Sequence, residues 1–225
     1  MKAKTTIIAA FAAVFAVACE TTPPSIDTTG EETFDGLYPV ANSKADSAWA
    51  RPGVDLSNYS KVMLQGAGIE YRPGGETGRV SLNRGSSGPY AVTEEQKERF
   101  EKLVVEEFTE EMAKSDVFEL VTEPGPDVLL VRGALLDVVS YVPPEPVGRG
   151  AVFISKIGEV TLVVEIRDST TGAIFARAVD RGISEPAGGF SLRQSNRATN
   201  AAEVRRVVSH WGSEFRDRLE ALMVE

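Results

Sequence analysis

The sequence predicts an α+β domain: a mixed or mainly antiparallel sheet of about five strands with two amphipathic helices packed on one face. Two stretches carry apolar residues at helical spacing, one near 93–114 and one running almost to the C-terminus. Around and between them lie runs of alternating or continuous β-branched residues, broken by Gly, Pro and Ser-Thr turns. Composition agrees, since 42% of the 225 residues are hydrophobic and 25% charged, which excludes collagenous, coiled-coil and disulfide-framework chains.

KVMLQGAGIEY at 61–71 reads as the first strand, with Gly66 and Gly68 suggesting a bulge or bend. The Gly-rich stretch 72–92 is a loop. Thr93-Glu94-Glu95-Gln96 has the form of a capping box, and Phe100, Leu103, Val104, Phe108 and Met112 then form one helical stripe. VFELVTE at 117–123 is a short strand, followed by the Pro124-Gly125-Pro126-Asp127 turn. Residues 128–142 are apolar at both parities, as in a central strand covered on both faces. In EVTLVVEIRD, Val160, Leu162, Val164 and Ile166 alternate with polar positions, so one face is inward and one wet. Ser169-Thr170-Thr171-Gly172 then turns the chain into AIFARAVDR, completing a hairpin with Gly172 at positive φ. Asn200-Ala201-Ala202-Glu203 reads as a second capping box, opening a helix striped by Val204, Val208, Trp211, Phe215, Leu219 and Leu222.

The N-terminus carries an address. Lys2 and Lys4 precede IIAAFAAVFAVA at 7–18, too short to span a bilayer and of the length of a signal h-region. The run ends Ala16-Val17-Ala18-Cys19, which resembles the lipobox of bacterial lipoproteins and implies a lipidated Cys19 as first mature residue. An ordinary cleavage site before a bystander Cys is the alternative, and Ala16 departs from the Leu most common there. The only Cys in the chain nevertheless falls where a lipobox needs it. Glu20, rather than Asp, beside it favours the outer membrane over inner-membrane retention. Residues 20–53, rich in Thr, Pro, Gly, Ser and acids, read as a flexible tether reaching about 30 to 35 Å. Phe34, Leu37, Tyr38 and Trp49 are its apolar exceptions, suited to docking on a single periplasmic domain at 54–225.

RPGVDLSNYSKVML at 51–64, GEVTLVVEIRDSTTGAIFARAVDRG at 158–182 and AEVRRVVSHWGSEFRDRLEAL at 202–222 together resemble a family of bacterial lipoproteins defined only by a domain of unknown function. The resemblance spans most of 50–225. It implies envelope location and domain identity, and brings no catalytic or binding residue with it.

Little in the sequence carries chemistry of its own. His210, the one imidazole, lies about 120° from the centre of the last helix's apolar stripe, a solvated or rim position. No Ser sits in a nucleophile elbow. One His and a Cys consumed by lipid leave no zinc set, and Glu106, Glu107, Glu110 and Glu111 read as a solvated helix face. The loop from Arg72 to Arg79 lacks phosphate-loop spacing. No cofactor is expected. After loss of 1–18 the charge is -11, with 33 acids facing 22 bases, a composition unsuited to nucleic acid. All of that surplus lies before residue 128, whereas 177–206 holds six Arg. Arg193 and Arg197, on a basic loop at 183–199, and Arg205 beyond it are therefore candidates for gripping an anionic partner, such as an envelope protein, a lipid headgroup or a cell-wall polymer. Val152, Phe153 and Ile154 form an apolar triplet in a Pro-rich loop whose default role is core cover. These features favour a membrane-anchored, non-enzymatic binding or accessory module. An envelope hydrolase built on the Gly-rich loops is the alternative, and a concave pocket gathering titratable side chains, which the sequence does not lead one to expect, would favour it.

Overall fold

The computed structural model describes residues 22–73, 89–143, 152–154, 157–184 and 193–224. The expected signal segment, Cys19 and most of the two Gly- and Pro-rich loops lie outside them. The elements are β1 (Ser25–Ile26), β2 (Tyr38–Ala41), β3 (Ser47–Ala50), β4 (Lys61–Tyr71), α1 (Glu94–Met112), β5 (Glu119–Val121), β6 (Val128–Ser140), β7 (Val152–Ile154), β8 (Gly158–Asp168), β9 (Ile174–Ser184), β10 (Arg193–Ser195) and α2 (Arg197–Val224). The α+β class is as expected, but the main sheet has eight strands in the order β1-β2-β3-β9-β8-β6-β4-β5. β4 is parallel to β5 and β6, and the remaining neighbours are antiparallel.

The three additional strands come from the stretch expected to be a tether. β3 pairs with β9 over four residues, from Ser47 opposite Val179 to Ala50 opposite Ala176, and β2 and β1 extend the same edge. An edge strand gains its hydrogen bonds from the backbone whatever its side chains, so sparse apolar content is enough when the neighbouring edge is free. Leu37 is fully buried, Trp49 is half-buried, and Phe34 stands almost wholly in solvent. The domain thus begins well before residue 54.

β4, α1 and β5 form a crossover that sets two parallel strands side by side. The capping box is present: Thr93 Oγ1 accepts from the Gln96 N–H, and Gln96 Oε1 accepts from the Thr93 N–H at 2.8 Å. The bulge in β4 falls between Gly66 and Ile69, and Gly172 turns the β8–β9 hairpin at φ +72°. α2 starts three residues before its expected cap. Asn196 Oδ1 accepts from the Thr199 N–H at 3.0 Å while Thr199 Oγ1 accepts from the Asn196 N–H at 3.2 Å, a reciprocal cap that displaces the one expected at Asn200. Glu203 is buried instead, paired with Arg206 at 2.9 Å.

α1 and α2 run parallel. Arg205 meets Glu107 at 3.0 Å, Ser209 donates to Glu107, and Arg216 donates to the Glu111 carbonyl at 3.1 Å, so contacts advance together along both helices. Gly212 permits the close approach, since a Cβ there would stand 2.8 Å from Glu111 Cβ. Glu107 and Glu111 thus face α2, while Glu106 and Glu110 remain on the solvated face read from the sequence. Beneath the helices Met112, Leu219 and Met223 close on Val62, Leu129, Val131, Val164 and Ile166. Leu222, expected in the stripe, is exposed, and Met223 takes the inward place.

The opposite sheet face is wet, as the alternation in β8 requires. Arg177 bridges Asp35 and Glu165, and Glu165 also binds Arg167 at 2.8 Å. Burial raises the Glu165 pKa, but the hydrogen bonds from Arg167 and Arg177 outweigh it and hold the carboxyl below its usual range.

At the hairpin turn, Asp168 Oδ1 accepts from the Thr170 and Thr171 N–H groups, and Oδ2 accepts from the Tyr59 hydroxyl at 2.8 Å. The Thr171 N–H leads the bonds that lower the Asp168 pKa. A carboxyl with a depressed folded pKa adds stability above the unfolded value of about 3.9, and that contribution disappears as pH falls through the folded value. Asp168→Asn is therefore expected to lower the unfolding midpoint at pH 7 by an amount that shrinks below pH 4, measured by denaturation across that range.

Candidate functional site

At the end of the molecule where both helices begin, they part from the sheet and leave a cleft of about 290 Å³. Its floor is the helix-facing side of β6 and β8, including Leu135, Val138 and Val160. Its walls are Val92 and Phe100 of the α1 side and Val204, Val208 and Trp211 of α2. The sequence led us to expect no pocket gathering titratable groups; this cleft is mostly apolar, but Tyr71, Arg99, Glu159 and Arg197 line it.

Trp211 fixes one end. A Cβ on Gly182 of β9 would lie 2.1 Å from Trp211 Cζ2, so the ring rests directly on bare strand backbone. Only Gly permits that approach, and the ring then forms a wall rather than filling the space.

Tyr71, the last residue of β4, supplies the most informative polar atom. Its ring lies edge-on to Phe100 with centroids 6.4 Å apart, and Lys97 Nζ sits 5.2 Å above it. Its hydroxyl is buried and, among the described residues, has no hydrogen-bond partner. Burial first, and then the negative charges of Glu101 and Glu94, push its pKa up to about 12. The group is consequently a neutral O–H donor throughout the physiological range. A buried donor left unsatisfied costs about 1 to 3 kcal/mol, which an incoming acceptor would recover in part.

Polar residues cluster where the helices start: Gln96 and Arg99 on α1, then Ser195, Asn196, Arg197 and Asn200 at the head of α2. Arg99 pairs with Glu95. Glu159 is bound by Arg181 at 3.0 Å and accepts from the Tyr141 hydroxyl at 3.1 Å.

The residues singled out from sequence separate in space. Arg197 is exposed at the first position of α2 and lines the cleft mouth. Arg205 spans the helix pair to Glu107, so its charge serves α1–α2 packing. Arg177, Arg181 and Arg206 are likewise paired with Glu165, Glu159 and Glu203. Arg193 lies in β10, and its side chain is outside the described residues. Residues 185–192 of the basic loop expected at 183–199 lie outside the described residues, and its ends are strand and helix: β9 extends to Ser184, β10 pairs with β7 from Arg193 opposite Ile154 to Ser195 opposite Val152, and α2 begins at Arg197. The expected apolar loop triplet is thus a strand, with Phe153 more than half exposed. His210 is exposed, on the α2 surface turned away from the sheet. Among the described residues no three His, Cys, Asp or Glu side chains are grouped to hold a metal, and no helix is long and apolar enough to cross a membrane. Sequence reading missed Tyr71 as a site residue; its signal was a Tyr closing a strand just before a Gly-rich loop, which alone does not reveal an orphaned hydroxyl.

The solved structures to which the chain is similar share little sequence with it. A DUF330 protein from Xanthomonas campestris is 11% identical with a TM-score of 0.37, covering 77% of this chain and 90% of that one. The hypothetical protein CT253 from Chlamydia trachomatis is 14% identical with a TM-score of 0.36, covering 73% and 98%. The PelC dodecamer from Paraburkholderia phytofirmans is 13% identical with a TM-score of 0.30, covering 72% and 92%. No curated protein matches the chain. Strands β2 to β10, α1 and α2 up to Phe215 all fall within 31–215, the stretch that matches the DUF3313 model, and the chain belongs to this family of proteins of unknown function.

Proposed function

We propose that the protein is a bacterial envelope lipoprotein, held by lipid on Cys19 after removal of 1–18, whose domain faces the periplasm from the outer membrane and acts as a non-enzymatic binding module. The observation that carries the binding role is the apolar cleft with an unpartnered Tyr71 donor. Apolar walls with a few convergent polar groups are the usual make-up of a ligand site. The titratable side chains on its walls are the feature that would favour a hydrolase, but they include no imidazole and Glu159 is bound by Arg181 and Tyr141, which supports binding over hydrolysis. The lipobox-like Ala16-Val17-Ala18-Cys19 supports the anchor.

The full-length Cys19→Ser protein is expected to bind one molecule of the apolar fluorophore N-phenyl-1-naphthylamine per chain. Ala201 lines the cleft and is half-buried. Ala201→Trp should fill the space and weaken that binding at least about tenfold, a loss of about 1.4 kcal/mol, while the circular dichroism spectrum stays unchanged. No saturable binding, or binding indifferent to Ala201→Trp, would show that the cleft is not a ligand site.

A further inference from the structure

We infer that the cleft takes a single-chain anionic amphiphile, an acyl chain ended by a carboxylate or a phosphate, lying along α2 with its head where the two helices begin. This rests on the cleft being a binding site, as proposed above.

Shape is the first argument. The cleft residues of α2 include Arg197, Ala201, Val204, Val208 and Trp211, spaced by three or four along one helix face. At 1.5 Å per residue they extend over about 21 Å. A volume of 290 Å³ drawn out over that length is a narrow channel, fitted to an extended chain or a flat, slender aromatic rather than to a globular ligand.

Polarity is the second, and it is graded from end to end. Around Val204, Val208 and Trp211 the walls are apolar, whereas Gln96, Arg99, Asn196 and Arg197 gather at the other end. Because α1 and α2 are parallel, both helix dipoles place their positive ends there. The Tyr71 hydroxyl, on the strand that packs against the opening turns of α1, lacks an acceptor. An anionic oxygen would satisfy that donor and meet two favourable dipoles. A cationic head would do neither. Of the two carboxylates whose charge reaches Tyr71, Glu94 is paired with Lys97 at 2.7 Å and Glu101 is exposed to solvent. The one carboxylate on the wall, Glu159, is already balanced by Arg181. A free fatty acid and a monoacyl phospholipid both carry this chemistry.

Displacement of N-phenyl-1-naphthylamine from the full-length Cys19→Ser protein tests the inference. The competitors are saturated fatty acids of increasing length, lysophosphatidylglycerol, and alkyltrimethylammonium ions of matching length, all below their micellar concentrations. Affinity of the fatty acids should rise about fourfold per methylene until the channel is filled. Anions should exceed the cation of equal length by about tenfold or more. Tyr71→Phe should weaken the anions by about tenfold and leave probe binding unchanged. Tighter binding of the fatty acid or of the phospholipid identifies the source, and either result supports the inference. A cation that competes equally, an affinity independent of chain length, or a Tyr71→Phe protein that binds the anions normally overturns it. If the probe binds and every amphiphile fails, this inference falls alone; if the probe does not bind, the reading of the cleft as a site falls with it.

Discussion

Cys19→Ser is expected to release the protein from the membrane fraction almost completely. Two acyl chains with a third on the amine together bury dozens of methylene groups at about 0.8 kcal/mol each, so attachment through them is effectively permanent. Among the described residues no helix offers a substitute anchor. Fractionation of cells expressing the variant, with intact mass of the processed chain, measures the effect. A Cys19→Ser protein that stays in the membrane at the normal processed mass would show that the attachment does not depend on lipid at this position.

Trp211→Ala is expected to be the most damaging single change inside the domain, costing about 3 to 5 kcal/mol. The ring lies against the bare backbone of Gly182 and forms the wall between the core and the cleft. Its loss would extend the cleft into the packed region, because the atoms nearest to a Cβ on Gly182 all belong to the Trp211 ring. The total stability of a domain is about 5 to 15 kcal/mol, so a large share of it depends on this contact. The urea midpoint should drop by about 1 to 2 M. An unchanged midpoint would mean that α2 is held to the sheet by Leu219 and Met223 alone. The complementary change, Gly182→Leu, should destabilise for the opposite reason, by displacing the ring.

The anchor and the cleft suggest a division of roles along the chain. On the proposed lipidation, only Glu20 to Pro24 separate Cys19 from β1, so the domain would be held close to the membrane surface and placed to exchange single-chain lipids with it. The length of the segment between Cys19 and Ser25 could be varied to test whether capture of membrane-derived ligand depends on it.

The sequence by itself determined the elements whose signals are local. The span of β4, its bulge near Gly68, the Thr93–Gln96 cap of α1 and the Asp168–Gly172 turn all follow from side chains acting on backbone within a few residues. The two helices and their stripes followed from period, because an amphipathic face must be buried. What only the tertiary structure decided was everything that depends on a distant partner. β2 and β3 exist because the edge of β9 offers unpaired N–H and C=O groups, a property of the sheet that residues 38–50 do not encode alone. The start of α2 moved to Arg197 because Asn196 and Thr199 cap it where β10 delivers the chain. Arg205 was a free cation in sequence and became an interhelical bridge once α1 presented Glu107. The cleft, too, is a remainder: the space left where two parallel helices diverge from a twisted sheet. Periodicity specifies which face of an element turns inward, whereas the gaps between inward faces are set by how the elements cross, which no local pattern records.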